Sequence, residues 1–154
     1  MSMKHYAGIG ARGTPEDILQ RMTKCAKVMQ KKGYTLRSGG AKGADSAFER
    51  GAGNNKEIFT ANGHIPLWTN VMTDFFHPAP DKLSDYARKL MNRNSLILLG
   101  QDGNTPVDFV VCWTKDGKAS GGTGQCLRMA QYFGIKVFNF YSEDDIVALK
   151  EFTR

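Results

Sequence analysis

The chain has 154 residues, 41% hydrophobic and 23% charged, with a formal net charge of +6 at pH 7. Those proportions exclude a disordered polymer and fit one soluble globular domain, residues 1–154, with a core of its own. No run approaches the roughly 20 apolar residues of a membrane span, the first residues lack the apolar stretch of a signal peptide, and the cytoplasm is the expected location.

The chain opens with a short strand over residues 5–9, ending at Gly10. A helix then starts at Thr14-Pro15-Glu16-Asp17, with Thr14 as N-cap and Pro15 in the first turn. Ile18, Met22, Cys25 and Met29 form its apolar stripe, and Gly33 stops it. Residues 34–38 read as a second strand, 44–52 as a helix and 57–60 as a third strand. Residues 61–82, with Pro66, Pro78 and Pro80, read as a long, partly packed loop holding at most one short helix. A helix from about Lys82 to Asn94 follows, with Leu83, Tyr86, Ala87 and Leu90 spaced for burial. Ser95–Leu99 is apolar and fits either helix or strand, and Gln101–Pro106 is a polar turn. Residues 109–113 are unbroken apolar, which predicts a central parallel strand covered on both faces. Gly121–Gly124 opens a helix that Gly134 closes, 136–140 is the last strand, and Ser142 starts a final short helix. Strands alternating with helices predict an α/β, Rossmann-like three-layer domain, its largely parallel sheet flanked by helices.

In such sheets ligands sit beyond the carboxyl ends of the strands. Three glycine-rich segments fall there. The first, around Gly10-Ala11-Arg12, lacks the third glycine of a dinucleotide fingerprint. A phosphate contact and a tight turn with an exposed arginine fit it equally. The second is Ser38-Gly39-Gly40-Ala41-Lys42-Gly43-Ala44-Asp45, which offers free amides, a hydroxyl and a lysine. It lacks the spacing and terminal Lys-Ser/Thr pair of a phosphate-binding P-loop. Asp45 can orient the loop, bind a ribose hydroxyl or cap the helix, and capping is the simplest of these. The third, Gly121-Gly122-Thr123-Gly124, again joins a strand to a helix N-terminus, where amides and the helix dipole favour an anion. Together the segments predict anion binding. The positive net charge agrees, although Lys24, Lys27, Lys31 and Lys32 lie on one helix, where a solvated charged face is the simpler reading.

The segment Ser38–Asp45 resembles the SGGAxGxD signature of the DNA-processing protein A (DprA/Smf) family. Gly10-Ala11-Arg12 resembles that family's Gly-Ser-Arg turn, Arg93-Asn94 its Arg-Asn-Arg segment without the second arginine, and Gly121–Gly124 its late glycine-rich loop. The order agrees along almost the whole chain, and the chain looks most like the short, single-domain DprA-like proteins of phages and prophages. The resemblance implies the Rossmann-like fold of the SLOG superfamily, a pocket for a nucleotide or single-stranded DNA, and a homodimer. It implies that Arg12, Ser38, Gly39, Gly40, Lys42 and Arg93 line a phosphate site. No cofactor is required, and a nucleotide is the expected ligand.

The related Lonely Guy phosphoribohydrolases carry PGGxGTxxE. Aligning the glycines puts Ser120 at the Pro, Gln125 at the Thr and Arg128 at the Glu. A cation cannot do the work of that carboxylate, so no catalytic residue is assigned and a binding role is favoured over an enzyme. Hydrolysis would need Asp45, Glu49 or Asp108 instead. A sensor or sequestering protein for a nucleotide signal is the third reading.

The other candidates have plainer readings. His64 and His77 have no metal-ligand pattern around them. Cys25, Cys112 and Cys126 are odd in number, form no CxxC pair, and read as small buried hydrophobes. Trp68, Phe75 and Phe76 can stack on bases, but packing or a dimer interface is the simpler expectation, as packing is for Trp113. No Ser-His-Asp arrangement is present.

Overall fold

Along a strand covered on both faces, alternate side chains enter two different cores. In β1 (Lys4–Gly8) Tyr6 joins one cluster and Ala7 the other, and in β4 (Phe109–Cys112) Phe109 and Val111 oppose Val110 and Cys112. The computed structural model describes residues 4–154. The remaining elements are α1 (Glu16–Lys31), β2 (Tyr34–Ser38), α2 (Ala44–Ala52), β3 (Lys56–Ile58), α3 (Trp68–Phe76), a 3-10 turn at Pro80–Lys82, α4 (Asp85–Leu99), α5 (Gly124–Tyr132), β5 (Lys136–Asn139) and α6 (Glu143–Phe152). The five strands are all parallel, in the order β3-β2-β1-β4-β5. Met22, Met29, Phe48 and Leu149 of α1, α2 and α6 pack on one face. Ile97, Leu98, Cys126 and Met129 of α4 and α5 pack on the other, with Trp68, Met72 and Phe76 of α3 beside them. The expected three-layer Rossmann-like α/β arrangement is therefore present.

The chain leaves β1 toward β2 and β3, and later places β4 on the opposite side of β1. The loops after β1 and β4 thus diverge, leaving a crevice at the carboxyl end of the sheet.

Several local expectations need correction. Thr14 does not cap α1; Pro15 holds that position without a side-chain bond, and the Thr14 hydroxyl donates to the Ala11 carbonyl at 2.6 Å. The third strand is Lys56–Ile58 rather than 57–60. Residues 61–82 hold the one short helix expected there, the nine-residue α3. Ser95–Leu99 continues α4, which Ser84 caps by accepting from the Ala87 amide. Residues 92–99 of that helix are all buried, so its last two turns show no polar face to reveal a helical period. Tyr86 is not buried but 61% exposed.

Candidate nucleotide-binding cleft

The Gly10–Arg12 turn extends β1 beside the continuation of β4. The Ile9 amide donates to Val111 and the Ala11 amide to Trp113. Trp113 itself packs against the core. Arg12 projects from this turn, exposed and without an ion pair among the described residues.

The second loop is braced from below. Ser38 is fully buried and its hydroxyl donates to the Gly8 carbonyl at 2.6 Å, tying β2 to β1. Asp45 Oδ2 accepts from the Ala41 amide at 3.2 Å, so its carboxylate closes the turn instead of capping α2, whose N-cap Gly43 has no side-chain bond. At Gly39 a Cβ would stand 2.5 Å from Arg93 Nη1 and 2.9 Å from Asp45 Oδ2, which only glycine avoids. Gly43 has φ +88°, a region that side chains disfavour.

Arg93 reaches this loop from α4. Its Nη1 donates to the Gly39 carbonyl at 2.8 Å and to the Phe59 carbonyl at 2.9 Å, and its Nε donates to Asn94 Oδ1 at 3.0 Å. One buried guanidinium thus pins the loops after β2 and β3. Asn94 Nδ2 donates to the Gly122 carbonyl at 3.4 Å, linking α4 to the third loop. That loop is tied down at its start, where Asp116 Oδ1 accepts from the Ser120 hydroxyl at 2.8 Å. Thr123 occupies the N-cap of α5 without making a side-chain cap.

These pieces enclose one cleft of about 550 Å³, within the range of small-ligand sites. Of the residues singled out in the sequence, Gly10, Ala11, Arg12, Gly39, Gly40, Ala41, Asp45, Arg93, Asn94, Gly122 and Thr123 line it. Ser38, Lys42, Gly43, Gly121 and Gly124 do not. Ser38 lies beneath the loop, Lys42 is exposed, Gly43 and Gly121 shape the turns, and Gly124 opens α5. The rest of the lining is mainly an apolar wall, Ile9, Leu90, Met91, Ile97 and Cys126, with Tyr86 at α4's first turn and the more polar Thr60–Asn62 after β3. Motif reading missed this wall because no short signature marks it. The i, i+4, i+7, i+8, i+11 spacing of Tyr86, Leu90, Arg93, Asn94 and Ile97 is the signal that could have found it.

Among the described residues two cations and one carboxylate set the cleft's electrostatics: Arg12, Arg93 and Asp45. Burial pushes the Asp45 carboxyl up to about 6, against the opposing pull of the Ala41 amide and the Arg93 guanidinium. The other two acids considered for chemistry are elsewhere. Glu49 pairs with Lys56 at 2.8 Å, and Asp108 follows the Gln101–Pro106 turn, its amide donating to His5 at the amino end of the sheet. Arg128 also lies outside the cleft lining, its Nε donating to the Phe76 carbonyl at 2.7 Å and its Nη1 to Ala119 at 3.4 Å.

The remaining candidates have structural partners. His77 Nδ1 accepts from the Ala79 amide, and among the described residues no three His, Cys, Asp or Glu side chains are placed to hold a metal. Phe75 and Phe76 pack with Tyr132, and Trp68 against the second core. Cys112 and Cys126 are buried, Cys25 is half-buried, and burial pushes the Cys25 and Cys126 thiols up to about 12. Among the described residues no helix is long and apolar enough to cross a membrane.

No family model matches the chain, and no curated protein matches it. Among solved structures the chain is similar to DNA processing protein A from Helicobacter pylori, at 20% sequence identity and a TM-score of 0.62. The match covers 97% of this chain and 73% of that one, and that protein binds single-stranded DNA. The fold is DprA-like.

Proposed function

We propose that this chain is a binding module that holds the phosphates of single-stranded DNA, or of a nucleotide, in the cleft at the carboxyl end of its sheet. The observation that carries this is convergence. Three glycine-rich turns, separated by up to 113 residues between Gly10 and Thr123, meet Arg12 and Arg93 in one cavity. Glycine turns let a phosphate approach backbone amides, the α2 and α5 N-termini add positive dipole ends, and the arginines add charge. The single-stranded DNA binding of the H. pylori protein that shares the fold supports the DNA form of this reading.

Anisotropy titration of a fluorescent oligothymidylate tests it. Saturable binding should weaken roughly 5- to 10-fold as salt rises from about 50 to about 200 mM, the slope for about two neutralised phosphates on a single strand. No binding at low salt would refute the DNA form. Full competition by a mononucleotide, with a shallower slope, would favour the nucleotide sensor.

One observation favours a second reading, nucleotide N-glycosidic cleavage. Among the described residues Asp45 is the one carboxylate lining the cleft, and its raised pKa suits proton transfer near neutral pH. Against this, its Oδ2 already holds the Ala41 amide, and the motif-aligned Arg128 is bound elsewhere. Chromatography of nucleoside monophosphates after incubation decides the matter: release of free base, lost in Asp45→Asn, would replace the binding module with an enzyme.

The family resemblance adds a homodimer. Exposed Leu67, Val71 and Phe75 at i, i+4 and i+8, with Tyr132 beside Phe75, offer an apolar face for it. Light scattering should give twice the chain mass, and a monomer would dismiss it.

A further inference from the structure

The two walls of the cleft differ in chemistry. Backbone turns, Arg12 and Asp45 make one, and the α4 stripe with its neighbouring aliphatic and sulfur-bearing side chains, a single aromatic and the guanidinium of Arg93 makes the other. Phosphates explain the first wall and leave the second without a function.

Tyr86, Leu90, Arg93, Asn94 and Ile97 form one stripe of α4 along the cleft. The stripe grades from an exposed ring at the mouth, through half-buried Leu90, to buried Arg93 and Asn94. From Tyr86 to Arg93 the helix rises about 10 Å, the scale of one nucleotide unit from base to phosphate. Among the described residues Tyr86 is the only aromatic lining the cleft, and its ring stacks on no other aromatic. The other strongly exposed aromatic rings differ. Phe75 and Tyr132 pack on one another, Phe152 on Phe109 and Phe138, and Tyr141 lies against Gly117. An exposed, unstacked ring thus lines the same cavity as Arg93, with Leu90 one helical turn further along the stripe.

We propose that Tyr86 is a stacking platform for a nucleobase, with Leu90 as the apolar neighbour one turn deeper, so that the cleft binds a base-bearing nucleotide unit rather than phosphate alone. This rests on the reading of the cleft as a phosphate site and adds its specificity. Every base has a π-face, so the platform distinguishes a base from no base and tolerates sequence.

The test compares ligands that differ only in the base. Calorimetry with deoxyadenosine monophosphate against 2-deoxyribose 5-phosphate, and anisotropy with oligothymidylate against an abasic strand of equal length, are run on the wild type, Tyr86→Phe and Tyr86→Ala. The wild type should prefer the base-bearing member of each pair by about tenfold, the size of one base–aromatic stack. Tyr86→Phe should keep the preference, and Tyr86→Ala should bring the paired affinities close together. Circular dichroism checks that the variants keep the fold, as expected for a side chain 61% exposed. A preference that survives in Tyr86→Ala, or an equal loss for both members of a pair, overturns the platform while leaving the phosphate site standing. If the monophosphate pair shows the preference and no strand binds, the DNA reading alone falls. If the wild type binds no ligand of either pair, cleft and platform fall together.

Discussion

Two cavities of similar size lie in different parts of this molecule. The cleft beyond the strands has about 550 Å³, and a groove between α1 and α6 has about 500 Å³. Both carry cations. Those of the groove are Arg21, Lys24, Lys32 and Lys150, set around Val28, Ile146, Val147 and Leu149. Two of them are engaged within the protein, Arg21 with Glu143 at 2.9 Å and Lys32 with the Thr153 carbonyl at 2.7 Å. The groove is walled by the sides of two helices, whereas the cleft is walled by three glycine-rich turns and one stripe of α4. Volume and positive charge therefore do not separate the two places. Glycine-rich turns and helix N-termini gathered at a sheet's switch point do.

The largest effect should come from Arg93→Ala. It leaves the Gly39 and Phe59 carbonyls without their buried donor and should cost about 2–4 kcal/mol of stability in urea denaturation, together with strand binding. Arg93→Lys should recover little, because an ammonium lacks the guanidinium fork. If Arg93→Ala were silent in both assays, the cleft would not be held as described.

Arg12→Ala comes next. Arg12 is exposed and forms no ion pair among the described residues, so thermal stability should hold while strand affinity falls roughly tenfold, one charge-assisted contact.

Asp45→Asn should act through pH. The folded carboxyl titrates near 6 and the ordinary value is 3.8, so the native state retains a proton that the unfolded chain has released between those values. Stability should accordingly fall as pH rises through that window and level off above it. Thermal melts of Asp45→Asn should lack this segment of the slope. Its anion binding should also be less dependent on pH, since the wild type places a negative charge in the cleft above about pH 6.

The smallest effects sharpen the contrast. Lys42→Ala, in the glycine-rich loop but outside the cleft lining, and Lys150→Ala, in the groove, should each change affinity and stability by no more than about twofold. A large loss in Lys150→Ala would move the site to the groove.

The strand-end turns were legible in the sequence because each combines a stop signal, a change of hydrophobic period and glycines. β2 and α2 fall at the expected residues for that reason. The last turns of α4 were not legible, since burial all round removes the amphipathic period that identifies a helix. The candidate site divides in the same way. Gly10–Arg12, Gly39–Ala41 and Gly122–Thr123 announce themselves by composition. Motif position alone could not show that Ser38 lies beneath the loop while Arg93 lies across it, because both outcomes depend on contacts 30 and 54 residues away. The apolar wall on α4 stayed hidden because Tyr86 and Leu90 look like ordinary core positions until the loops are placed opposite them.

Amide hydrogen exchange of the protein with and without saturating oligothymidylate tests the central claim most directly. Protection should appear in residues 10–12, 39–45, 86–94 and 121–124, with residues 21–32 and 143–153 unchanged. Protection confined to the α1–α6 groove, with the three glycine-rich turns exchanging as in the free protein, would contradict the account.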